Sequence, residues 1–126
     1  ADLSPVMAKY GLSLLPYFPL ASGLLTAKYK RDVMPEGARL TENPTFANRV
    51  YVTEENWAII EKLEAFAAKR GRNLLELAFC WLAAQAPTAS IIAGATRPEQ
   101  IEANIAAVGR ELSAEEIAEI DQITTK

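Results

Sequence analysis

This sequence predicts an α/β fold that carries only a small share of a parallel sheet. Three observations lead there. Two short apolar runs, residues 12–17 and 89–93, are set off by Gly11, Pro16 and Gly94 and read as buried strands. The segments around them place apolar residues at helical spacing, so the order is helix, strand, long loop, two helices, strand, two helices. Two strands cannot close a barrel or form a wide sheet, and a lone pair is marginal in water, so the chain reads as part of a larger fold.

The elements follow in order. Residues 4–10 read as the end of a helix closed by Gly11, and Leu12-Ser13-Leu14-Leu15-Pro16-Tyr17 as the first strand. From Phe18 to Val52 the periodicity is lost and Pro19, Gly23, Pro35, Gly37 and Pro44 accumulate. A connection of that length is either functional or mobile. Within it Gly23-Leu24-Leu25-Thr26 suits a local turn, and Lys28-Tyr29-Lys30-Arg31 concentrates charge, as a solvated loop end does. Thr53 then starts a helix with Glu54 and Glu55 in its first turn; Trp57, Ile60, Leu63, Phe66 and Ala67 form its apolar stripe and Gly71 stops it. Asn73 caps the next helix, residues 74–85, which has little polar surface and should be largely buried. Both tryptophans are accordingly core residues. After the second strand comes a helix over 98–108, with Ile101, Ile105 and Val108 facing inward. The last helix opens on a capping box, Ser113-Ala114-Glu115-Glu116, and points Ile117, Ile120 and Ile123 at the core. With no repeat, low-complexity tract or linker, residues 1–126 read as a single partial domain.

Bulk properties narrow the function. The chain has 126 residues, half of them hydrophobic and 23% charged, which is a globular composition. A net charge of −3 without a long basic run argues against nucleic-acid binding. No stretch reaches the roughly 18 consecutive apolar residues of a membrane span. The opening Ala1-Asp2-Leu3-Ser4-Pro5 lacks the basic and apolar regions of a leader. One cysteine, Cys80, fits a reducing, cytoplasmic setting and sits where a small buried hydrophobe belongs. The absence of histidine removes the commonest general acid–base and the commonest zinc ligand, and no metal site is expected.

The segment richest in chemistry is Ser90-Ile91-Ile92-Ala93-Gly94-Ala95-Thr96-Arg97-Pro98-Glu99-Gln100-Ile101-Glu102-Ala103-Asn104. An apolar run ends at Gly94, and Pro98 sits where a helix begins. Backbone N–H groups and the positive end of a helix dipole converge there. Arg97 adds a permanently charged planar fork suited to phosphate. Gln100 and Asn104, three and seven residues beyond Arg97, carry amides able to meet a base edge or a ribose. An ordinary strand-to-helix connection has the same pattern, so the residues alone leave both readings open.

Two segments together carry a resemblance. Tyr17-Phe18-Pro19-Leu20-Ala21-Ser22-Gly23-Leu24-Leu25-Thr26-Ala27-Lys28-Tyr29 resembles the segment after the seventh barrel strand of aldo-keto reductases. Gly94-Ala95-Thr96-Arg97-Pro98-Glu99-Gln100 with Asn104 resembles the segment after their eighth. Residues 71–86 are similar to the helix-rich stretch between, and 112–123 to the closing helix. The resemblance covers nearly the whole chain. It implies the C-terminal portion of a (β/α)8 TIM barrel, about two strands plus helices, from enzymes that move a hydride between NADP(H) and small carbonyl substrates. Active sites in such barrels lie at the C-terminal ends of the strands.

By resemblance, Tyr17 stacks on the nicotinamide; Phe18, Pro19, Leu20, Ala21 and Ser22 line the pyrophosphate path; and Gly23 permits close backbone approach. Lys28 and Arg39 match basic positions that reach cofactor phosphates. Thr96 and Arg97, beyond Gly94, match the 2′-phosphate site, and Gln100 and Asn104 the adenosine contacts. Ala27 departs from the family's frequent glycine. The family's catalytic tyrosine, lysine, aspartate and histidine lie in its first four strands, which this chain does not contain, so no catalytic residue is assigned; Tyr10, Tyr29 and Tyr51 are not recruited as the acid. A complete barrel takes about 250 residues. The expectation is one cofactor-binding wall of a reductase, inactive by itself, that either binds the missing N-terminal part or self-associates. A non-catalytic nucleotide-binding module and an inactive truncation product are the alternatives.

Overall fold

The computed structural model describes residues 3–125, with backbone alone at 47–49; Ala1 and Asp2, part of the opening read above, lie outside the described residues. The helices are α1 (Ser4–Lys9), α2 (Arg39–Glu42), α3 (Pro44–Val50), α4 (Glu54–Lys69), α5 (Leu74–Ala84), α6 (Pro98–Ala107) and α7 (Ala114–Thr124), with a kinked 3-10 segment, Ala21–Thr26, ahead of α2. None of them is long and apolar enough to cross a membrane.

Local chemistry sets the helix ends where spacing predicted them. The Thr53 hydroxyl accepts the Asn56 N–H at the start of α4. Asn73 with Glu76, and Ser113 with Glu116, form reciprocal capping boxes at α5 and α7. Gly71, at φ +61°, ends α4, and the next N–H, that of Arg72, turns back to the Ala67 carbonyl at 3.0 Å. The stripe Trp57, Ile60, Leu63, Phe66 and Ala67 is buried as one face of α4. It packs with Leu74 and Leu77 of α5, Ile120 of α7, and Leu24, Tyr29 and Leu40 from the long connection. That connection is therefore not a free loop; its short helices seal the core.

Four expectations are corrected. Among the described residues neither 12–17 nor 89–93 forms a strand: Leu14 makes a single parallel bridge with Thr88, just ahead of the second run, in which the Leu14 N–H donates to Pro87 O at 2.6 Å and Ala89 N–H to Leu14 O at 3.0 Å. Two segments offer too few ladder partners to extend the pairing, and Leu12, Leu15 and Ile92 stand more than half exposed. On α6, Ile101, Ile105 and Val108 face solvent, and Ala107 alone is buried. That helix packs against α5, so its apolar face instead borders an open groove shared with Phe79, Ala83 and Ile91. α5 is only partly buried: Leu75, Ala78, Trp81 and Leu82 are half-exposed and Ala83 and Ala84 exposed, since neighbours cover one side of it. Finally, Trp57 is core but Trp81 is half-buried, its indole N–H donating to Asp121 Oδ1 at 2.7 Å and tying α5 to α7.

Candidate functional site

The backbone after residue 17 is unusual before any side chain is considered. Phe18, Ala21, Ser22 and Ala27 all have positive φ (52°, 47°, 58° and 61°), and Gly23 lies at 92°. Left-handed backbone costs a non-glycine residue about 1–2 kcal/mol, and such outliers concentrate at ligand clamps. Backbone bonds over-determine the turn: Ala21 N–H donates to Phe18 O at 2.9 Å, Gly23 N–H to Leu20 O at 2.8 Å, and the Thr26 hydroxyl to Gly23 O at 2.7 Å. Inside it the Ser22 hydroxyl is buried without a hydrogen-bond partner among the described residues. A buried hydroxyl left so costs about 1–3 kcal/mol.

Cations flank this turn. A Cβ at Gly23 would lie 2.8 Å from both Cε and Nζ of Lys28, so glycine there is what lets the ammonium rest on the backbone. The Lys28 Nζ lies 5.0 Å from the Tyr29 ring centroid, and the Arg39 guanidinium carbon 5.0 Å from that of Phe18. Tyr17, 85% exposed, stacks on Phe18 with centroids 4.1 Å apart. Among the described residues neither Lys28 nor Arg39 forms an ion pair. The next two cations are committed: Lys30 to Glu64 at 2.7 Å, and Arg31 to Glu54 and, in bidentate fashion, to Glu61. The Glu61 hydrogen bonds hold the Arg31 guanidinium above its ordinary range, and Arg31 holds the Glu61 carboxyl below its own.

The second segment is more open. Thr96 N–H and hydroxyl both donate to Gln100 Oε1, at 2.7 and 3.3 Å, so the Gln100 carbonyl end is spent on the helix start. Arg97 is the N-cap of α6, makes no capping bond and is exposed; Pro98 follows at the first turn. Asn104 is half-buried and borders the groove beside Ile101 and Ile105. Gly94 has no left-handed φ, and a Cβ there would meet nothing within 4 Å, so neither backbone conformation nor crowding selects glycine there.

The structure thus gathers Tyr17, Phe18 and Arg39 into one stack, and Ser22, Gly23 and Lys28 into one turn. The Leu14–Thr88 bridge sets the approaches to the two segments side by side and parallel. Among the described residues no hydrogen bond or ion pair joins 17–39 to 94–104. Cys80 is buried, its Sγ 3.2 Å from Ala107 O and 3.1 Å from Arg110 O, and desolvation pushes its thiol up, which suits a core residue and not a nucleophile. Sequence reasoning passed over Tyr29, which is 1% exposed and accepts the Leu40 N–H on its hydroxyl at 3.0 Å. A ring amid three cations was the signal. It also passed over Arg72, whose buried guanidinium donates to the carbonyls of Arg110 and Glu111.

The chain is similar in sequence and in fold to known proteins. The chain is 34% identical to an L-glyceraldehyde 3-phosphate reductase of Escherichia coli, over 97% of the chain and 36% of that protein. It is 34% identical to an NADH-specific methylglyoxal reductase of Escherichia coli, over 89% of the chain and 33% of that protein. The fold matches the glycerol dehydrogenase of Gluconobacter oxydans with a TM-score of 0.74 and 31% identity, covering 97% of the chain and 37% of that structure. The chain spans about a third of the length of the relatives it matches. Residues 1–125 match the Aldo/keto reductase family as a whole, a range that takes in both glycine-bearing segments and every helix between them, so the chain belongs to the aldo/keto reductase family.

Proposed function

We propose that residues 1–126 are one partial domain that forms the cofactor wall of an NADP(H)-dependent reductase of aldehydes and ketones. One observation carries the reading. A strained left-handed turn carries a buried, unpartnered Ser22 hydroxyl, and the two cations that rest on the Tyr29 and Phe18 rings, Lys28 and Arg39, meet no carboxylate among the described residues. Ammonium and guanidinium are donors suited to phosphate oxygens, and the Ser22 hydroxyl is a spare donor in the turn beside them. The nicotinamide cofactor supplies the hydride when bound. In this reading Phe18, Pro19, Leu20, Ala21, Ser22 and Gly23 shape the pyrophosphate path, with Lys28 and Arg39 neutralising it, and the exposed Tyr17 ring offers the nicotinamide a flat apolar face. Asn104, with the Gln100 amide nitrogen, meets the adenosine. The open space over Gly94 keeps the backbone accessible to the same group.

Arg97 reads the 2′-phosphate, with Thr96 beside it. The catalytic tyrosine, lysine, aspartate and histidine, and most of the pocket for a small carbonyl substrate, belong to the other two thirds of the barrel. A cytoplasmic setting accords with the free, buried Cys80. One relative is named as NADH-specific, so the choice between cofactors is the point to test. In the complete reductase, Arg97→Ala should weaken NADPH binding by at least about tenfold, as loss of a charge-assisted contact does, and leave NADH nearly unchanged. Equal losses for both cofactors would remove Arg97 from the 2′-phosphate site and the NADP(H) preference with it.

A further inference from the structure

We propose that Tyr29 is a positioning residue for the phosphate site, setting both of its cations from beneath; this rests on the reading that Lys28 and Arg39 hold cofactor phosphates. The hydroxyl governs Arg39. Helix α2 begins at Arg39, and its N-cap, Ala38, has no side-chain acceptor. The first N–H groups of a helix need partners from outside it. The Tyr29 hydroxyl accepts the N–H of Leu40 at 3.0 Å, in a fully buried setting, and so performs the missing cap from eleven residues away. That bond fixes the first turn of α2, and with it the line along which Arg39 reaches the Phe18 ring.

The ring governs Lys28. The Lys28 ammonium lies 5.0 Å from the Tyr29 centroid, and a Cβ at Gly23 would come within 3.6 Å of Tyr29 Cε2 as well as 2.8 Å of Lys28 Nζ. Lys28 is thus held between the aromatic face and the strained turn. Tyr29 is itself immobile: it is 1% exposed, and the Lys30–Val33 turn that follows is closed by two backbone bonds of 3.0 Å and fastened to α4 through Glu54, Glu61 and Glu64. One side chain therefore couples the two phosphate-facing cations to the core.

The test is a pair of mutant cycles in the complete reductase, with NADP+ binding measured by isothermal titration and melting temperature recorded for every variant. Tyr29→Phe keeps the ring and removes the acceptor. It should weaken NADP+ about three- to tenfold, the range expected for one net hydrogen bond. That loss should vanish in an Arg39→Ala background and persist in a Lys28→Ala background. Tyr29→Leu, which also removes the ring, should in addition abolish the Lys28 contribution. A merely structural role would lower the melting temperature and affinity alike in every background, so a Tyr29→Phe loss of equal size with and without Arg39 overturns the proposal. Unchanged affinity in Tyr29→Phe overturns it too. Wild-type affinity in both Lys28→Ala and Arg39→Ala overturns the phosphate reading itself, and the Tyr29 proposal with it.

Discussion

Replacing Arg72 by methionine should destabilise the chain by about 2 kcal/mol, which is large for one side chain in a domain whose whole stability is about 5–15 kcal/mol. Arg72 reaches from the turn after α4 to the turn before α7, and its side chain is only 2% exposed. Nη1 donates to Arg110 O at 2.7 Å and Nη2 to Glu111 O at 2.6 Å, while Glu116 lies 3.7 Å away. Two buried bonds from a charged donor are worth about 3–6 kcal/mol together. Against that, Arg72 Nε is buried without a partner, a defect of about 1–3 kcal/mol that methionine removes. The two carbonyls belong to exposed residues, so water can take over part of what they lose. Glu116 keeps Arg70 at 3.6 Å and the Ser113 N–H at 2.9 Å, so no buried charge is stranded. The balance is about 2 kcal/mol. Arg110→Met is the control. Its guanidinium makes the reciprocal contacts, to Gly71 O at 3.4 Å and Arg70 O at 3.0 Å, but at an exposed position. It should change stability by no more than about 0.5 kcal/mol. Urea unfolding of the complete reductase, followed by far-ultraviolet circular dichroism, should show a lowered midpoint for Arg72→Met and a nearly unchanged one for Arg110→Met. Equal midpoints for the two variants would refute the account of Arg72 as the buried half of the clasp.

The chain alone should show no NADPH oxidation with a panel of reactive aldehydes; turnover that co-purifies with it would place a catalytic acid among residues assigned none. The exposed apolar side chains of Leu12, Leu15, Tyr17, Ile92 and Ile105 should drive the isolated chain to self-associate. Light scattering reports this, and a monodisperse monomer with one cooperative transition would contradict it. The Lys30–Val33 turn should loosen in acid. Glu61 has its folded pKa lowered by the Arg31 hydrogen bond, so its contribution is complete above the ordinary value of 4.5 and is lost as pH falls through the lower folded one. Amide exchange at 30–33 should accelerate below that value, and a pH-independent rate relative to the intrinsic one would remove Glu61 as the anchor.

How much of this was legible in the sequence depended on how far each partner lies along the chain. The α4 stripe, the caps at Thr53, Asn73 and Ser113 and the stop at Gly71 are satisfied within about one helical turn, so spacing and residue type determined them. The residues proposed to face the cofactor were likewise named from the sequence alone, because two short ordered segments carry the family resemblance. Their geometry was not. Phe18, Ala21 and Ser22 are not residues that announce left-handed backbone; the bonds within the turn and the packed connection around Leu24, Tyr29 and Leu40 hold them there.

The two segments read as strands are apolar and short enough, yet a ladder is made by neighbours and not by composition. Tertiary structure reduced them to one bridge at Leu14 and Thr88. It likewise turned Ile101, Ile105 and Val108 outward, because periodicity shows which residues share a helix face but not what that face meets. The Tyr29 hydroxyl finds its donor eleven residues away, and the Arg72 guanidinium its acceptors about forty. Contacts of that span exist only once the chain has closed on itself, so residue type determined that these groups could bond and the fold alone decided with what.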